Sequence, residues 1–446
     1  MVIDKITAEQ GITAALSAQL IDKHSGNTER FNRLEKYYKG EHDILNRTRT
    51  SKGIANNRVV CNHAKYITDI TTSYLTGNPV TYSAAAEFDI SALNNEYLEQ
   101  DIASLDSELV KNASIYGRAY ELIYADEEGR VKSVSLNPKT AFVVYDGTAA
   151  KKPLFGVYYY KRYDISGNCI GVSCTVYDAE TVREFTSDNE DWRSMTLEGE
   201  APHYFGGVPL IEYKNNAERQ GDFEQLIPLI DAYNLLCSDR VNDKEQFVDA
   251  FLFLKGIEID SEQAKKLREE RILMGDDLSD AKYLSKSMTE SDINILRNDL
   301  KQDIHRFSMV PDLSDESFGS NLSGVAIKYK LMGFEQHVRN KERYIAKGLK
   351  KRFKLYNAFL AKKNSMAEVP VSQVDVIFTR NLPANNLETA EMINQLKEIV
   401  SDETLLGQLD FVTDAKEEAE LAAREREQTY RNKITAVEDL AEGGGY

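Results

Sequence analysis

The stretch that decides the fold is residues 309–331, which read MVPDLSDESFGSNLSGVAIKYKL. Its first half, 310–322, contains Asp312, Asp315 and Glu316 and no basic residue. Ser323 then supplies the side-chain oxygen that favours the first position before a helix. The stretch therefore predicts an acidic loop followed directly by a helix.

The helix after Ser323 is predicted to run to about Lys363. Its apolar residues recur three, four or seven apart, at Ile327, Leu331, Phe334, Val338, Ile345, Leu349, Phe353, Tyr356 and Leu360. At about 1.5 Å per residue, such a helix would reach roughly 60 Å. We therefore expect an elongated subunit or a larger assembly, with Gly333 and Gly348 as places where the helix can bend.

Two further helices are predicted on the N-terminal side of the loop. The first occupies 222–253, with Pro228 in its opening turns, and the second occupies 289–309 and ends before Pro311. The second has apolar residues at helical spacing, namely Ile293, Leu296, Leu300, Ile304 and Phe307. Between them we expect a strand–helix–strand unit with the segments Gly256–Ile259, Ser261–Leu273 and Ala281–Ser285.

The first 221 residues are predicted to be helical and then β-rich, which gives an α+β fold class. The expected helices are Thr7–Ile21, Thr28–Tyr38, Val59–Leu75 and Asp89–Tyr116. The expected strands form an antiparallel region that ends near residue 207, and they are Ala119–Tyr124, Val131–Leu136, Phe142–Tyr145, Phe155–Tyr163, Ile170–Tyr177 and Val182–Thr186. After the long helix, Val374–Thr379 is predicted as a strand and Leu387–Leu440 as acidic helix.

Composition excludes several classes of protein. The chain has 446 residues and a net charge of −17, which suggests two to four domains and argues against a broad basic face that grips DNA. Four cysteines do not suggest a disulfide framework, so we expect ordinary structural or surface thiols. The most apolar stretch, 247–257, is too short and too charged to span a bilayer, so no membrane association is expected.

Sequence motifs for catalysis are missing. There is no P-loop, Gly-x-Ser-x-Gly elbow, His-Glu-x-x-His pair or EF-hand loop, and no Gly-x-Gly-x-x-Gly follows a strand. Cys61 and His63 are two residues apart in a predicted helix and would not face each other. Paired acids such as Glu127-Glu128 fall at turns, where solvated surface is the simpler interpretation. We therefore expect no catalytic residues, no metal and no cofactor.

The long helix carries about a dozen Lys and Arg residues between Lys328 and Lys363, against two acids. One interpretation is a DNA-binding face. The other is a solvated face that pairs with acidic groups of neighbouring subunits or of the acidic C-terminal helices. The sequence leaves both open.

Several phrases, in order and at similar spacing over nearly the whole chain, resemble the portal proteins of long-tailed (siphovirus-type) double-stranded-DNA bacteriophages. They are YYKGEHDI at 37–44, NRVVCNHAK at 57–65, YLTGNPV at 74–80, GRAYE at 117–121, GVPLIEY at 207–213, NLSGVAIK at 321–328 and FTRNLPAN at 378–385. Each phrase alone is weak evidence, but their common order is specific.

The resemblance implies a portal fold with an α/β wing, a two-helix stem, a small clip, a long kinked wing helix and a helical crown. On this chain the wing would be 1–221, completed by the long helix and returning strand at 323–377. The stem would be 222–253 and 289–309, the clip 254–288, the tunnel loop 310–322 and the crown 378–446. These divisions agree with the element order predicted from periodicity.

The resemblance also implies a function without catalysis. Family members form a ring, usually of twelve subunits, at the portal vertex of the capsid, through which double-stranded DNA is packaged and later ejected. The expected partners are the DNA, the terminase large subunit, the major capsid and scaffolding proteins, and the head-to-tail adaptor. The expected location is the virion, after assembly in the host cytoplasm, and ATP hydrolysis would belong to the motor.

Carried over residue by residue, the resemblance implies three groups of site residues. The tunnel loop would present Asp312, Asp315, Glu316, Phe318 and Asn321 to the DNA. Weak basic contacts from the stem are expected from Arg297 and Lys301, although an outward orientation is an equal alternative. Docking of the motor and adaptor by the clip would involve Glu262, Lys265, Arg268, Glu269 and Asp276.

Two other classes of function stay open on sequence alone. One is a nucleic-acid-processing enzyme with an unrecognised site, which requires turnover by the isolated chain. The other is a non-portal capsid or scaffold interaction protein, which would not form closed rings.

Overall fold

A computed structural model describes residues 1–3, 12–48, 55–248, 251–255, 280–284, 290–314, 324–380, 386–397, 399–409, 412 and 414–442. The helices of this part are α1 (Ala14–Ser25), α2 (Thr28–Lys39), α3 (His63–Thr76), α4 (Ser91–Glu99), α5 (Ile102–Tyr116), α6 (Ile227–Val248), α7 (Glu290–Ser308), α8 (Gly324–Lys362), α9 (Asn386–Leu396), α10 (Asp402–Leu406) and α11 (Ala415–Glu442). The strands are β1 (Val2–Ile3), β2 (Thr81–Ala84), β3 (Arg118–Ala125), β4 (Val131–Leu136), β5 (Ala141–Asp146), β6 (Pro153–Tyr163), β7 (Cys169–Tyr177), β8 (Thr181–Ser187), β9 (Thr196–Pro202), β10 (Leu210–Lys214), β11 (Phe251–Lys255), β12 (Asp280–Leu284) and β13 (Val374–Ile377). This mixture confirms the α+β class.

The chain forms two compact units. The first comprises Met1–Glu35, Tyr66–Gln225 and Met309–Tyr446, and the second comprises Lys36–Lys65 and Leu226–Ser308.

A six-stranded sheet, in the order β1-β5-β6-β7-β8-β9, forms the largest part of the first unit. Helix α1 lies against it because Leu20 and Ile21 join Phe142, Val144 and Val157 in one buried apolar cluster. The predicted strands from β3 to β8 are confirmed. The predicted antiparallel pairing within this region is confirmed, and the sheet is extended at one edge by β1, which pairs in parallel with β5. Periodicity also missed β9, β10 and the short strand β2, which pairs with β13.

The predicted single helix over 89–116 is two helices, α4 and α5. The chain breaks at Asp101, whose φ of 52° lies in the left-handed region that a helix cannot continue through. Another predicted helix, Thr7–Ile21, begins later than expected, at Ala14, after Thr13 accepts a hydrogen bond from the Leu16 N–H at 3.2 Å. Residues 4–11 lie outside the described part.

Strands β10, β3 and β4 form a second sheet of the first unit, and helix α8 packs on β10. The predicted long helix is confirmed over 39 residues. A Cβ placed on Gly348 would lie 2.3 Å from the Tyr213 ring, whereas one on Gly333 would meet nothing within 4 Å. Gly348 therefore allows a close approach of helix and strand, a use that the prediction of bending did not foresee.

The second unit contains α6, α7 and the antiparallel pair β11–β12. Helices α6 and α7 pack against each other. The predicted helix over 222–253 ends at Val248, and residues 251–255 are a strand rather than its last turn. The second predicted clip strand is confirmed as β12, while the predicted segments Gly256–Ile259 and Ser261–Leu273 lie outside the described residues.

The predicted helix over 59–75 begins only at His63, and residues 57–61 have no regular secondary structure. The acidic C-terminal region is helical as predicted, in the helices α9 to α11.

Candidate functional site

The start of the acidic loop is anchored to helix α3 in the first unit. Helix α7 ends at Ser308, and Met309 takes a left-handed φ of 59° that turns the chain. Val310 is then buried, and the Tyr66 hydroxyl donates to the Pro311 carbonyl at 3.0 Å and accepts from the Leu313 N–H at 2.9 Å. The Tyr66 hydroxyl thus pairs with one backbone carbonyl and one backbone N–H in the first turn of the loop.

Asp312 helps to shape this turn. Its carboxylate accepts from the Ser314 N–H at 3.1 Å and from the Ser314 hydroxyl at 2.6 Å. An Asp that bonds the backbone two residues later is a common turn device. The other predicted loop residues, Asp315, Glu316, Phe318 and Asn321, lie outside the described part, which resumes at Gly324 where α8 begins.

Arg297 lies beside two thiols and a phenol in the second unit. Its charge acts on Cys61, Cys237 and Tyr233. The hydrogen bond from the Cys61 thiol, more than the charge of Arg297, lowers the pKa of Cys237 to about 7. The same hydrogen bond raises the pKa of Cys61 above its ordinary value. Lys301, one turn further along α7, is half-buried.

Helix α7 exposes several large apolar side chains within one chain. Ile304 is fully buried, whereas Ile295 is 59% exposed and Phe307 is 63% exposed. Leu296, which belongs to the predicted apolar stripe, is also exposed. Several large apolar side chains exposed on one helix are typical of an interaction surface.

The predicted docking residues of the clip, Glu262, Lys265, Arg268, Glu269 and Asp276, all lie outside the described residues. The strand pair β11–β12 stands on either side of that segment, with Lys255 opposite Asp280 at its far end. The structure therefore describes the two strands that flank residues 256–279 in the sequence.

Two cations of the long helix are buried inside the first unit rather than presented to DNA or to solvent. The Arg352 side chain is fully buried, and it donates to Asp106 at 2.6 Å and to Glu121 at 2.7 Å. Lys341 donates to Asp222 at 2.8 Å and also to the Ser114 hydroxyl. For these two residues both sequence interpretations were wrong, because their acidic partners are Asp106, Glu121 and Asp222 and none of them lies in the C-terminal helices.

The electrostatics of these buried pairs show what holds α8 in place. Burial raises the pKa of Asp106 to about 6, although the positive charge of Arg352 acts to lower it. Burial, the largest single influence, would raise the pKa of Asp222 as well, but Lys341, His337 and the hydrogen bond from Asn215 together outweigh it and the pKa is lowered. Glu121 also accepts a hydrogen bond from the Tyr213 hydroxyl at 2.5 Å. The helix is thus fixed on its sheet by charges that water does not reach.

His63, weighed above as a catalytic candidate with Cys61, and the nearby His42 both have packing roles. His42 is buried and bonds the Tyr37 carbonyl at 2.9 Å and the Asn234 amide at 2.8 Å. His63 contacts the rings of Tyr233 and His305. Within the described ranges there is no group of three or more His, Cys, Asp or Glu side chains placed to hold a metal ion. Nor does any helix there have the length and apolarity needed to cross a bilayer.

Comparison with known proteins gives consistent matches. The family described as phage portal protein, SPP1 Gp6-like, matches residues 17–431. The chain is similar to the portal protein of Bacillus phage SPP1, with 26% identity over 457 residues that cover 96% of this chain and 88% of that protein. It is also similar to the portal protein of Clostridium phage phiCD119, with 23% identity over 420 residues that cover 87% of this chain and 91% of that protein.

Proposed function

The chain belongs to the SPP1 Gp6-like family of phage portal proteins, and from that premise we propose that residues 310–322 form the DNA-facing loop of the portal channel. It functions as a phage portal protein, a structural component of the virion that forms an oligomeric ring with DNA and capsid partners. Portal proteins of this family are structural rather than catalytic.

The observation that carries the loop assignment is its double anchorage to Tyr66. A loop that faces moving DNA needs a fixed base, because a base that slides with the DNA would not keep the channel at one width. The bonds of Tyr66 to Pro311 and Leu313, with Val310 buried beneath them, supply such a base. The start of α8 at Gly324 supplies the other end.

The charge of the loop supports sliding rather than binding. Asp312, Asp315 and Glu316 are its only ionisable residues, so every copy in a ring adds carboxylates and no cation. The loop carboxylates repel the DNA phosphates. Because the loop has no Lys or Arg, it also lacks the salt-sensitive phosphate contacts that give proteins affinity for DNA. The loop would thus centre the duplex without holding it.

The ring itself is supported by the exposed apolar residues of α7, Ile295, Leu296 and Phe307. In a ring, α7 of one copy would pack on a neighbouring copy and bury them. We propose a ring of about twelve copies, as the family resemblance implies. Lys301 remains our candidate for a weak DNA contact from the stem, since the charge of Arg297 acts on the thiols inside the second unit, which favours a packing role.

We further propose the division of the chain that the resemblance implies, with a wing at 1–221 and 323–377, a clip at 254–288 and a crown at 378–446. The stem would be 222–253 and 289–309, with its first helix shortened to Ile227–Val248. In this scheme the clip residues Glu262, Lys265, Arg268, Glu269 and Asp276 would dock the terminase large subunit and later the head-to-tail adaptor. Phe318 and Asn321 would lie on the DNA-facing side of the loop. The major capsid and scaffolding proteins would contact the outer surface of the ring at the capsid vertex.

The test neutralises the loop without changing its length. In the triple variant Asp312→Asn, Asp315→Asn and Glu316→Gln, the asparagine at 312 can still accept the turn hydrogen bonds. We expect purified rings to form normally and to bind duplex DNA roughly tenfold tighter at low salt, with the difference shrinking at high salt because exposed charges are screened. In the phage, the variant should package less DNA per particle.

The matched control is Glu87→Gln, Glu99→Gln and Glu127→Gln, which removes the same charge from exposed positions of the first unit. Its DNA affinity and packaging should equal those of the parent. The loop assignment is wrong if the loop variant and the control behave alike. It is also wrong if both variants tighten DNA binding equally, because net charge alone would then explain the effect.

A further inference from the structure

One face of helix α6 holds alternate backbone N–H groups of the segment 57–61. The N–H of Asn57 donates to Asn242 at 2.6 Å, that of Val59 to Ser238 at 2.9 Å, and that of Cys61 to Asn234 at 2.8 Å. Four helical residues rise about 6 Å, and two extended residues advance about 6.6 Å. Because these two distances are similar, Asn234, Ser238 and Asn242, on three successive turns of α6, each accept one of the hydrogen bonds from every second N–H of the segment. We call these three hydrogen bonds the side-chain ladder.

Cys237 lies on the same face of α6 as the ladder. It follows Asn234 by three residues and precedes Ser238 by one, so its side chain is directed toward the segment that those two residues bind. The two thiols lie close enough for each to shift the pKa of the other. Both cysteines are half-exposed, whereas Cys174 in the first unit is buried. The ladder thus brings together two partly exposed cysteines that are 176 positions apart in the chain.

We propose that Cys61 and Cys237 form a reversible intrachain disulfide that fastens residues 57–61 to helix α6. The oxidant would be a low-molecular-weight disulfide, such as glutathione disulfide. The Cys237 thiolate attacks one sulfur of that disulfide and expels one thiolate, which takes up the proton that Cys237 gave up. Cys61 then loses its proton and attacks the Cys237 sulfur, which expels the second small thiol. Two electrons and two protons pass from the pair to the small disulfide.

The surroundings of the pair assign the two roles. Cys237 receives the hydrogen bond from Cys61, lies within reach of the Arg297 charge and is hydrogen-bonded to Tyr233, and all three favour its thiolate. Cys61 gives the hydrogen bond and keeps its proton. Cys237 is therefore the attacking thiol and Cys61 the resolving thiol. The inference concerns the second unit alone and does not depend on how the protein handles DNA.

The test exposes the full-length native protein at pH 7 to graded glutathione disulfide, then blocks free thiols and measures intact mass and cross-linked peptides. We expect the free thiols to fall from the four of the sequence by two per chain, so that the oxidised chain carries two blocking groups fewer than the reduced chain, and we expect a peptide that joins Cys61 to Cys237. Amide exchange at Val59 and Cys61 should slow by at least about tenfold in the oxidised form, and a reductant should reverse all of these changes.

Variants separate the two steps. Cys61→Ser should stop at a mixed disulfide on Cys237, with a mass gain of about 305 Da, while Cys237→Ser should react slowly. Arg297→Gln should slow the reaction several-fold and leave its end point unchanged, and Cys169→Ser should behave as the parent. The proposal is overturned if Cys61 and Cys237 stay separately alkylable after oxidation. It is equally overturned if the new disulfide joins two chains, which would appear as a band of twice the mass on a non-reducing gel.

Discussion

Two regions of the molecule join a helix to another segment of the chain by opposite means. In the first unit, α8 is held to strand β3 and helix α5 by the buried Arg352, whose partners are Asp106 and Glu121. In the second unit, residues 57–61 are held to α6 by neutral side-chain oxygens of Asn234, Ser238 and Asn242. When one member of a buried charge network is removed, its partners become unpaired buried charges and the whole network is destabilised. When one acceptor of the neutral ladder is removed, only one hydrogen bond is lost.

The contrast has a physical basis in desolvation. A buried carboxylate that loses its cation has no water to solvate its charge, so the whole unit loses stability. A backbone N–H that loses a side-chain acceptor at a half-exposed segment can turn to water instead. We therefore expect α8 to stay fixed on its sheet and residues 57–61 to open locally.

The largest expected effect comes from Arg352→Met. It removes the one guanidinium that bonds both Asp106 and Glu121, so the free energy of unfolding should fall by roughly 3–5 kcal/mol. Burial already raises the pKa of Asp106 to about 6, so the protonated form is favoured in the fold and stability falls as pH rises from about 4 through 6. Without the charge of Arg352, the pKa of Asp106 should rise further, and the stability of the variant should keep falling above pH 6. The mutation should therefore cost less stability at pH 5 than at pH 8. Chemical denaturation at both pH values measures this.

The matched control for that variant is Arg130→Met, whose guanidinium forms an exposed pair with Glu128. It should change stability by less than about 1 kcal/mol at either pH. If the two variants lose the same stability, the buried network does not hold the helix.

The next effect comes from the close contact of α8 with β10. Gly348→Ala places a methyl group 2.3 Å from the ring of Tyr213, which is fully buried and bonded to Glu121 and so has no room to move. The expected loss of unfolding free energy is roughly 1–3 kcal/mol. Gly333→Ala on the same helix meets open space and should be neutral or stabilising by up to about 1 kcal/mol. Equal melting temperatures for the two variants would contradict the close-approach role of Gly348.

The smallest effect is expected in the ladder. Ser238→Ala removes the acceptor of the Val59 N–H and should speed amide exchange at Val59 by about tenfold, which corresponds to about 1.4 kcal/mol. Exchange within the α8 region should not change. The control is Ser308→Ala, another buried helical serine that bonds a carbonyl three residues earlier. Faster exchange throughout the protein would show that the ladder is part of the global fold and not a local fastening.

The sequence predicted elements whose periodicity is strong and local. The apolar spacing of α8 and the alternation in β6 and β7 describe single elements, and both are confirmed. It did not predict the break at Asp101, because nothing in residues 89–116 marks a left-handed turn there except the dipeptide Gln100-Asp101 itself. It also did not predict the parallel pairing of β1, since a two-residue strand has no period to read.

The buried charges had a signal that was overlooked. Arg352 follows Leu349 by three residues and precedes Tyr356 by four, so it lies on the apolar face of the predicted helix. Asp106 lies in the same way between Ile102 and Val110 on α5. A cation and an acid, each on the apolar face of its own element, predict a buried pair. Spacing alone could not show which acid pairs with which cation, because the pairing depends on the tertiary fold. The predicted loop start was located correctly, but its anchor on Tyr66 joins residues about 245 positions apart in sequence.

The central claim is that the acidic loop lines the narrowest part of a portal ring, and electron microscopy of the purified protein with DNA tests it most directly. Twelve copies of 50.5 kDa would give closed rings of about 600 kDa. The predicted result is such a ring, with residues 310–322 of each copy facing the axis at its tightest point. Monomers or dimers at high protein concentration, or rings in which this loop faces outward, would contradict the account.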